Sequence, residues 1–101
     1  MAIAEFSVVP LGTGQTSLSE YVAECYAQVK ASGLTHQLTP MGTIIEGSMP
    51  ELLDLLAKVH EVPFTHGAQR VYTSIKIDDR RDKTASMEQK ICSVIRLQPE
   101  S

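Results

Sequence analysis

Tryptophan is absent, and Phe and Tyr together number only five. Any core this chain builds is therefore aliphatic, drawn from its many Leu, Ile and Val. Cysteine occurs twice, at Cys25 and Cys92. Two cysteines so far apart do not make a disulfide framework, and they fit free thiols in a reducing compartment. No long basic run exists, and the formal net charge is -3. General nucleic-acid binding needs a concentrated positive surface, so that class is set aside. The one basic patch, Arg80-Arg81-Asp82-Lys83, is offset by Asp78, Asp79 and Asp82. No apolar run approaches the roughly 20 residues of a membrane span, and no membrane partner is expected. Met1–Phe6 lacks the basic start and long apolar stretch of a secretory signal, so a soluble cytoplasmic protein is expected.

What is present suits one domain over residues 1–101. The 43% hydrophobic content is ordinary for a globular chain, and the length suffices for one core but not two. Residues 2–10 alternate, with Ala4, Phe6 and Val8 on one face and Ile3, Glu5, Ser7 and Val9 on the other. Pro10 is expected to end that strand. A glycine-bearing loop follows and leads into a helix over about Leu18–Ala31. Ser17 and Glu20 match a capping box, and Leu18, Tyr21, Val22, Cys25 and Val29 form an apolar stripe. Gly33 stands where a left-handed C-cap belongs.

Leu34–Thr39 and Thr43–Glu46 read as two strands reversing at Pro40-Met41-Gly42. Proline fixes one dihedral and glycine tolerates positive φ, which suits a tight turn. Ser48 and Glu51 start a second helix with another capping box, and Pro50 sits in its first turn. Leu52, Leu55, Leu56, Val59 and Val62 make its stripe. Pro63 predicts a bent or shortened end around Val62–His66, with Gly67 terminating. Gln69–Asp78 reads as a fourth strand, with Lys76 and Asp78 near the end of a central strand. A third helix spans about Ser86–Leu97, capped by Ser86 and Gln89, with Met87, Ile91, Val94 and Ile95 on its apolar face.

The order β-α-β-β-α-β-α predicts an α+β, ferredoxin-like sandwich with an extra C-terminal helix. Two helices cover one face of a four-stranded antiparallel sheet. The other face is mixed rather than cleanly polar, which predicts partial cover by the third helix or by another copy of the chain.

Few residues carry obvious chemistry. Gly12, Thr13, Gly14 and Thr16 precede a helix and could cradle an anion on exposed amides, but the lysine and spacing of a P-loop are missing. The alternative is a plain strand-to-helix turn with a Ser cap. His36, His60 and His66 have no partners at metal-ligand spacing, so no metal is expected. Neither cysteine looks nucleophilic. The alternating charges from Lys76 to Lys83 read either as solvated ion pairs or as a subunit contact or anion clamp. Glu46 is the carboxylate of most interest. It lies in a short apolar strand and needs a partner if buried. That partner is either a Lys or Arg of the chain, or the N–H edge or positive charge of a ligand. Locally, Leu38–Gly47 reads as a hairpin with a polar rim before it reads as a ligand site.

Four stretches together resemble the small thiamine-binding protein family related to YkoF. They are Pro10–Gly14; Thr16–Ser19 with Tyr21-Val22; Leu38–Gly47; and Ile75–Lys83. The resemblance spans nearly the whole chain. It implies a ferredoxin-like fold, a homotetramer built as a dimer of dimers, and binding of thiamine or its hydroxymethylpyrimidine moiety. It implies no catalytic activity, and no cofactor other than thiamine as ligand. Carried onto this sequence, the implied site comprises Ser17, Tyr21, Thr39, Met41, Thr43 and Glu46. Met41 would pack on a flat ring. The Thr hydroxyls would meet an aminopyrimidine edge, and Glu46 would anchor a ring N–H or the thiazolium charge. The competing expectations are an enzyme acting on a small heterocycle with Glu46 as acid or base, and a structural oligomer without ligand.

Overall fold

Alternation along β1 (Ala2–Leu11) sends Ala2, Ala4 and Phe6 into the core, and this strand is the centre of the molecule. The computed structural model describes residues 1–12, 19–82 and 86–98. After β1 come α1 (Ser19–Ser32), β2 (Thr35–Thr39), β3 (Gly42–Gly47), α2 (Met49–Thr65), β4 (Arg70–Asp79) and α3 (Met87–Leu97). The sheet order is β2-β3-β1-β4, with every neighbouring pair antiparallel. This is the ferredoxin-like α+β arrangement.

Register assigns the faces, because directly opposed residues share one. Ala4 opposes Ile45 on β3 and Ile77 on β4. Below this face α1 contributes Cys25 and Val29, and α2 contributes Leu52, Leu55, Leu56, Val59 and Val62. The opposite face carries Ile3, Glu5, Ser7 and Val9 of β1, with Glu46 and Asp78 flanking Ile3. Among the described residues, the first turn of α3 bonds to that row. The Met87 N–H donates to Glu46 Oε2 at 3.2 Å, and Lys90 Nζ meets Asp78 at 2.6 Å. None of the α3 side chains is buried.

Four expectations need correction. β4 is an edge strand, not a central one, and on its helix-facing side Ile75 and Ile77 stay 45% and 42% exposed. Pro10 does not end β1, which continues to Leu11. The ladder to β3 stops at Phe6–Thr43, so beyond it β1 has one free edge, where proline is tolerated. Gly42 has no positive φ. Glycine is required there because a Cβ would lie 2.8 Å from the Phe6 carbonyl oxygen. Finally, α2 is not shortened at Pro63 but runs through it to Thr65. Proline at 63 leaves the Val59 carbonyl without its N–H donor. That carbonyl instead accepts from the Cys25 thiol at 3.6 Å. The helix then closes at Gly67 (φ 90) as a Schellman motif, with Ala68 N–H to Pro63 O and Gly67 N–H to Phe64 O. Glu20 lies in the first turn of α1, but its expected capping partner Ser17, and Leu18 of the α1 stripe, lie outside the described residues, as does Lys83.

Candidate functional site

The β2–β3 hairpin turns on two residues, Pro40 and Met41, with Thr39 paired to Gly42. The Thr39 hydroxyl holds that turn. It donates to the Gly42 carbonyl at 2.7 Å and accepts from the N–H groups of Gly42 and Met41 at 3.1 and 3.3 Å. Its hydrogen-bonding capacity is therefore committed to the backbone. Met41 projects from the tip and is 84% exposed.

Because β3 begins only at Gly42, the stretch of β1 after Phe6 has no neighbour on that side. The gap forms a hollow of about 160 Å³ between the hairpin tip and α1. Phe6, Val8, Val22, Cys25, Met41 and Thr43 line it. The walls are mostly apolar; Ser7, Thr39 and Thr43 are the polar side chains among them, and Thr43 is 8% exposed. Among the described residues its hydroxyl has no hydrogen-bond partner. It is free to exchange a hydrogen bond with a guest. Burial, with a further contribution from the Glu24 carboxylate, pushes the Cys25 thiol up to about 11. A thiol so protonated at neutral pH is a wall, not a nucleophile.

A second, more polar cleft of about 500 Å³ opens past the end of β1, where Tyr21 and His66 meet Gly12, Gly67 and Arg70. The Tyr21 and His66 rings stand edge to face at 5.6 Å, and His66 Nε2 pairs with Glu24.

The residues singled out in sequence thus separate into three places. Thr39, Met41 and Thr43 meet at the hollow. Tyr21 faces the second cleft. Glu46 lies on the opposite face of the sheet, with the α3 N-terminus as its partner. A carboxylate there also complements the positive end of the helix. Gly12 borders the second cleft, while Thr13, Gly14, Thr16 and Ser17 lie outside the described residues. The charged run resolves into local pairs, Arg81 with Asp79 and Arg80 with Asp82. Sequence reasoning missed Val22 and Cys25 as hollow walls and Arg70 as a cleft residue. The free edge of β1 that opens the hollow depends on hairpin register, which no local signal states.

A family described as thiamine-binding protein matches residues 4–95. Of the relatives, the UPF0045 protein YqgV of Bacillus subtilis is 46% identical over 98% of this chain and all of its own length. A UPF0045 protein of Staphylococcus xylosus is 45% identical over 93% of this chain and 92% of its own. Among solved structures, a hypothetical protein of Methanocaldococcus jannaschii superposes with a TM-score of 0.83 at 34% identity, covering 95% of this chain and 97% of that one. A Thermotoga maritima protein, named for a proposed role in thiamine biosynthesis or salvage, has a TM-score of 0.76 over 92% and 97%. At 19% identity it speaks for the fold alone.

Proposed function

The chain belongs to the thiamine-binding protein family, and on that premise we propose that it binds thiamine, or the hydroxymethylpyrimidine moiety of thiamine, without transforming it. The observation that carries the reading is the hollow at the hairpin tip. Its volume of about 160 Å³ suits one ring, since an apolar cavity of about 150 Å³ takes up benzene. The hollow is open on one side, so the second ring has room outside it. In this reading the pyrimidine enters, and Thr43 meets its polar edge. Met41 lies against a ring face, and Thr39 acts by fixing the turn that presents Met41. The thiazolium ring stays at the rim. Glu46, hydrogen-bonded to α3, acts as a structural carboxylate in this reading and not as an acid or base.

The same reading makes the working form a homo-oligomer, a cytoplasmic dimer of dimers that carries, sequesters or senses the vitamin. Supporting it, no residue of the apolar stripe of α3 is buried, and Ile91, Val94 and Ile95 are exposed. The radius of gyration is 15.5 Å, against about 13 Å for a compact domain of this length. β4 also presents a ten-residue free edge, the kind of surface that pairs with a second copy.

Calorimetric titration with thiamine and with hydroxymethylpyrimidine tests the reading. Both should bind, and Thr43→Val should weaken both by about five- to tenfold, the size of one neutral hydrogen bond. No heat from either ligand at millimolar concentration would leave only the ligand-free oligomer. Ligand recovered chemically altered would favour the enzyme. Light scattering that reports a monomer would contradict the oligomer.

A further inference from the structure

We propose that the second cleft, between the first turn of α1 and the α2–β4 connection, binds a phosphate group, with Arg70 as its cationic anchor. The reading above concerns a ring in the hollow; this concerns a separate cavity and rests on that reading only for the source of the phosphate.

Three observations point the same way. Arg70 lines the cleft and has no carboxylate or hydrogen-bond partner among the described residues. Arg80 and Arg81 both hold aspartates two residues away. A guanidinium with its donors free matches phosphate geometry. Next, beside the apolar Leu11 and Ala68, the other side chains of the lining are donors or adaptable. The Tyr21 hydroxyl has no hydrogen bond to a described residue, and Gln69 brings a side-chain amide. The neighbouring carboxylate, Glu24, is engaged by His66. Lastly, the walls include two glycines in the left-handed region, Gly12 (φ 71) and Gly67 (φ 90). Glycine there lets backbone come close to a ligand without a Cβ between them.

The volume adds a constraint. About 500 Å³ exceeds what a bare ion fills and falls within the usual range for organic ligands. A phosphate monoester fits better than free phosphate. Along β1 the hollow ends at Val9 and the cleft begins at Leu11, roughly 7 Å further on at the usual strand rise. The two cavities therefore flank the same turn of α1, with Val22 facing one and Tyr21 the other.

The test is amide chemical-shift titration of the full chain with inorganic phosphate at constant ionic strength, with chloride as control. Saturable shifts confined to Gly12, Gly67, Gln69 and Arg70 are expected. Arg70→Met should weaken them about tenfold and Tyr21→Phe by less. Spectral dispersion of each variant reports that it is folded. Absence of saturable shifts, or shifts that Arg70→Met leaves unchanged, overturns the site. Thiamine monophosphate against thiamine identifies the source. A gain of about tenfold that Arg70→Met abolishes makes the phosphate the tail of the ligand in the hollow. Equal affinities with the phosphate shifts intact support the cleft as a site for a separate phosphate ester. Phosphate shifts without any thiamine binding support the cleft and sink the proposed function.

Discussion

Helices α2 and α3 begin alike and end up in opposite circumstances. Each has an N-cap serine in extended conformation, and each serine accepts the N–H three residues on, from Glu51 at 3.3 Å and Gln89 at 3.1 Å. Each carries an acid in its first turn and an apolar stripe. Yet α2 buries six residues, Leu52 through Pro63, and α3 buries none. Ile91 and Ile95 of α3 remain 49% and 65% exposed. Local signals therefore specify that a helix forms and which side is apolar. They do not specify what that side meets. On α2 the partner is the chain's own sheet. On α3 the anchor is polar, through Glu46 and Asp78, and the apolar side is left open.

The sharpest test of that contrast is truncation. Leu52→Ala should cost about 2–5 kcal/mol in urea unfolding. Ile91→Ala, measured at a dilution where the chain is monomeric, should stay within about 0.5 kcal/mol of the parent. Equal losses would mean that α3 belongs to the core after all. Thiol chemistry repeats the comparison. Cys25 is buried and Cys92 of α3 is exposed. With its thiol pushed up to about 11 from 9.0, Cys25 offers about a hundredfold less thiolate than an ordinary cysteine. Cys92 should label rapidly at neutral pH while Cys25 does not, as mass spectrometry of the labelled protein would read directly.

The caps come next in size. Ser48→Ala should lower global stability by about 1 kcal/mol. Ser86→Ala should instead fray α3 locally, seen as faster hydrogen exchange of its amides with an unchanged unfolding midpoint. A shift of that midpoint would argue that α3 unfolds with the rest.

The smallest effect is acid dependence at the α2 cap. Hydrogen bonds from the Ser48 side chain and backbone hold the Glu51 carboxyl below its ordinary range. A depressed native value means the contribution is complete above the ordinary carboxylate range and is lost as pH falls through the lowered one. The stability difference between the parent and Glu51→Gln should therefore be constant at neutral pH and shrink in acid. A difference that persists at low pH would assign the cap's effect to Ser48 alone.

Much of the fold was legible because its signals are local. The alternation of β1, the serine caps at 48 and 86, and the glycines at 33 and 67 are each readable within one or two turns of chain. The failures share a cause. Pro63 looked like a bend or an early helix end because the sequence does not say that a thiol 38 residues earlier sits against the carbonyl proline leaves bare. Gly42 looked like a dihedral requirement and is a contact requirement. At the candidate site, Thr39, Met41 and Thr43 were visible as unusual chemistry on a turn. Val22, Cys25 and Arg70 were not, since nothing near them in the chain marks them.

The sequence by itself determined the elements, their order, the two faces of β1 and the aliphatic nature of the core. Period and capping act over a few residues, so they can be read without a fold. Only the tertiary structure decided that β4 is an edge and that the stretch of β1 after Phe6 loses its neighbour and opens a hollow. It also decided that Glu46 faces α3 rather than that hollow. Those outcomes depend on register and on which surfaces meet across the sheet. A periodic pattern sets the direction of a side chain, but not what stands opposite it.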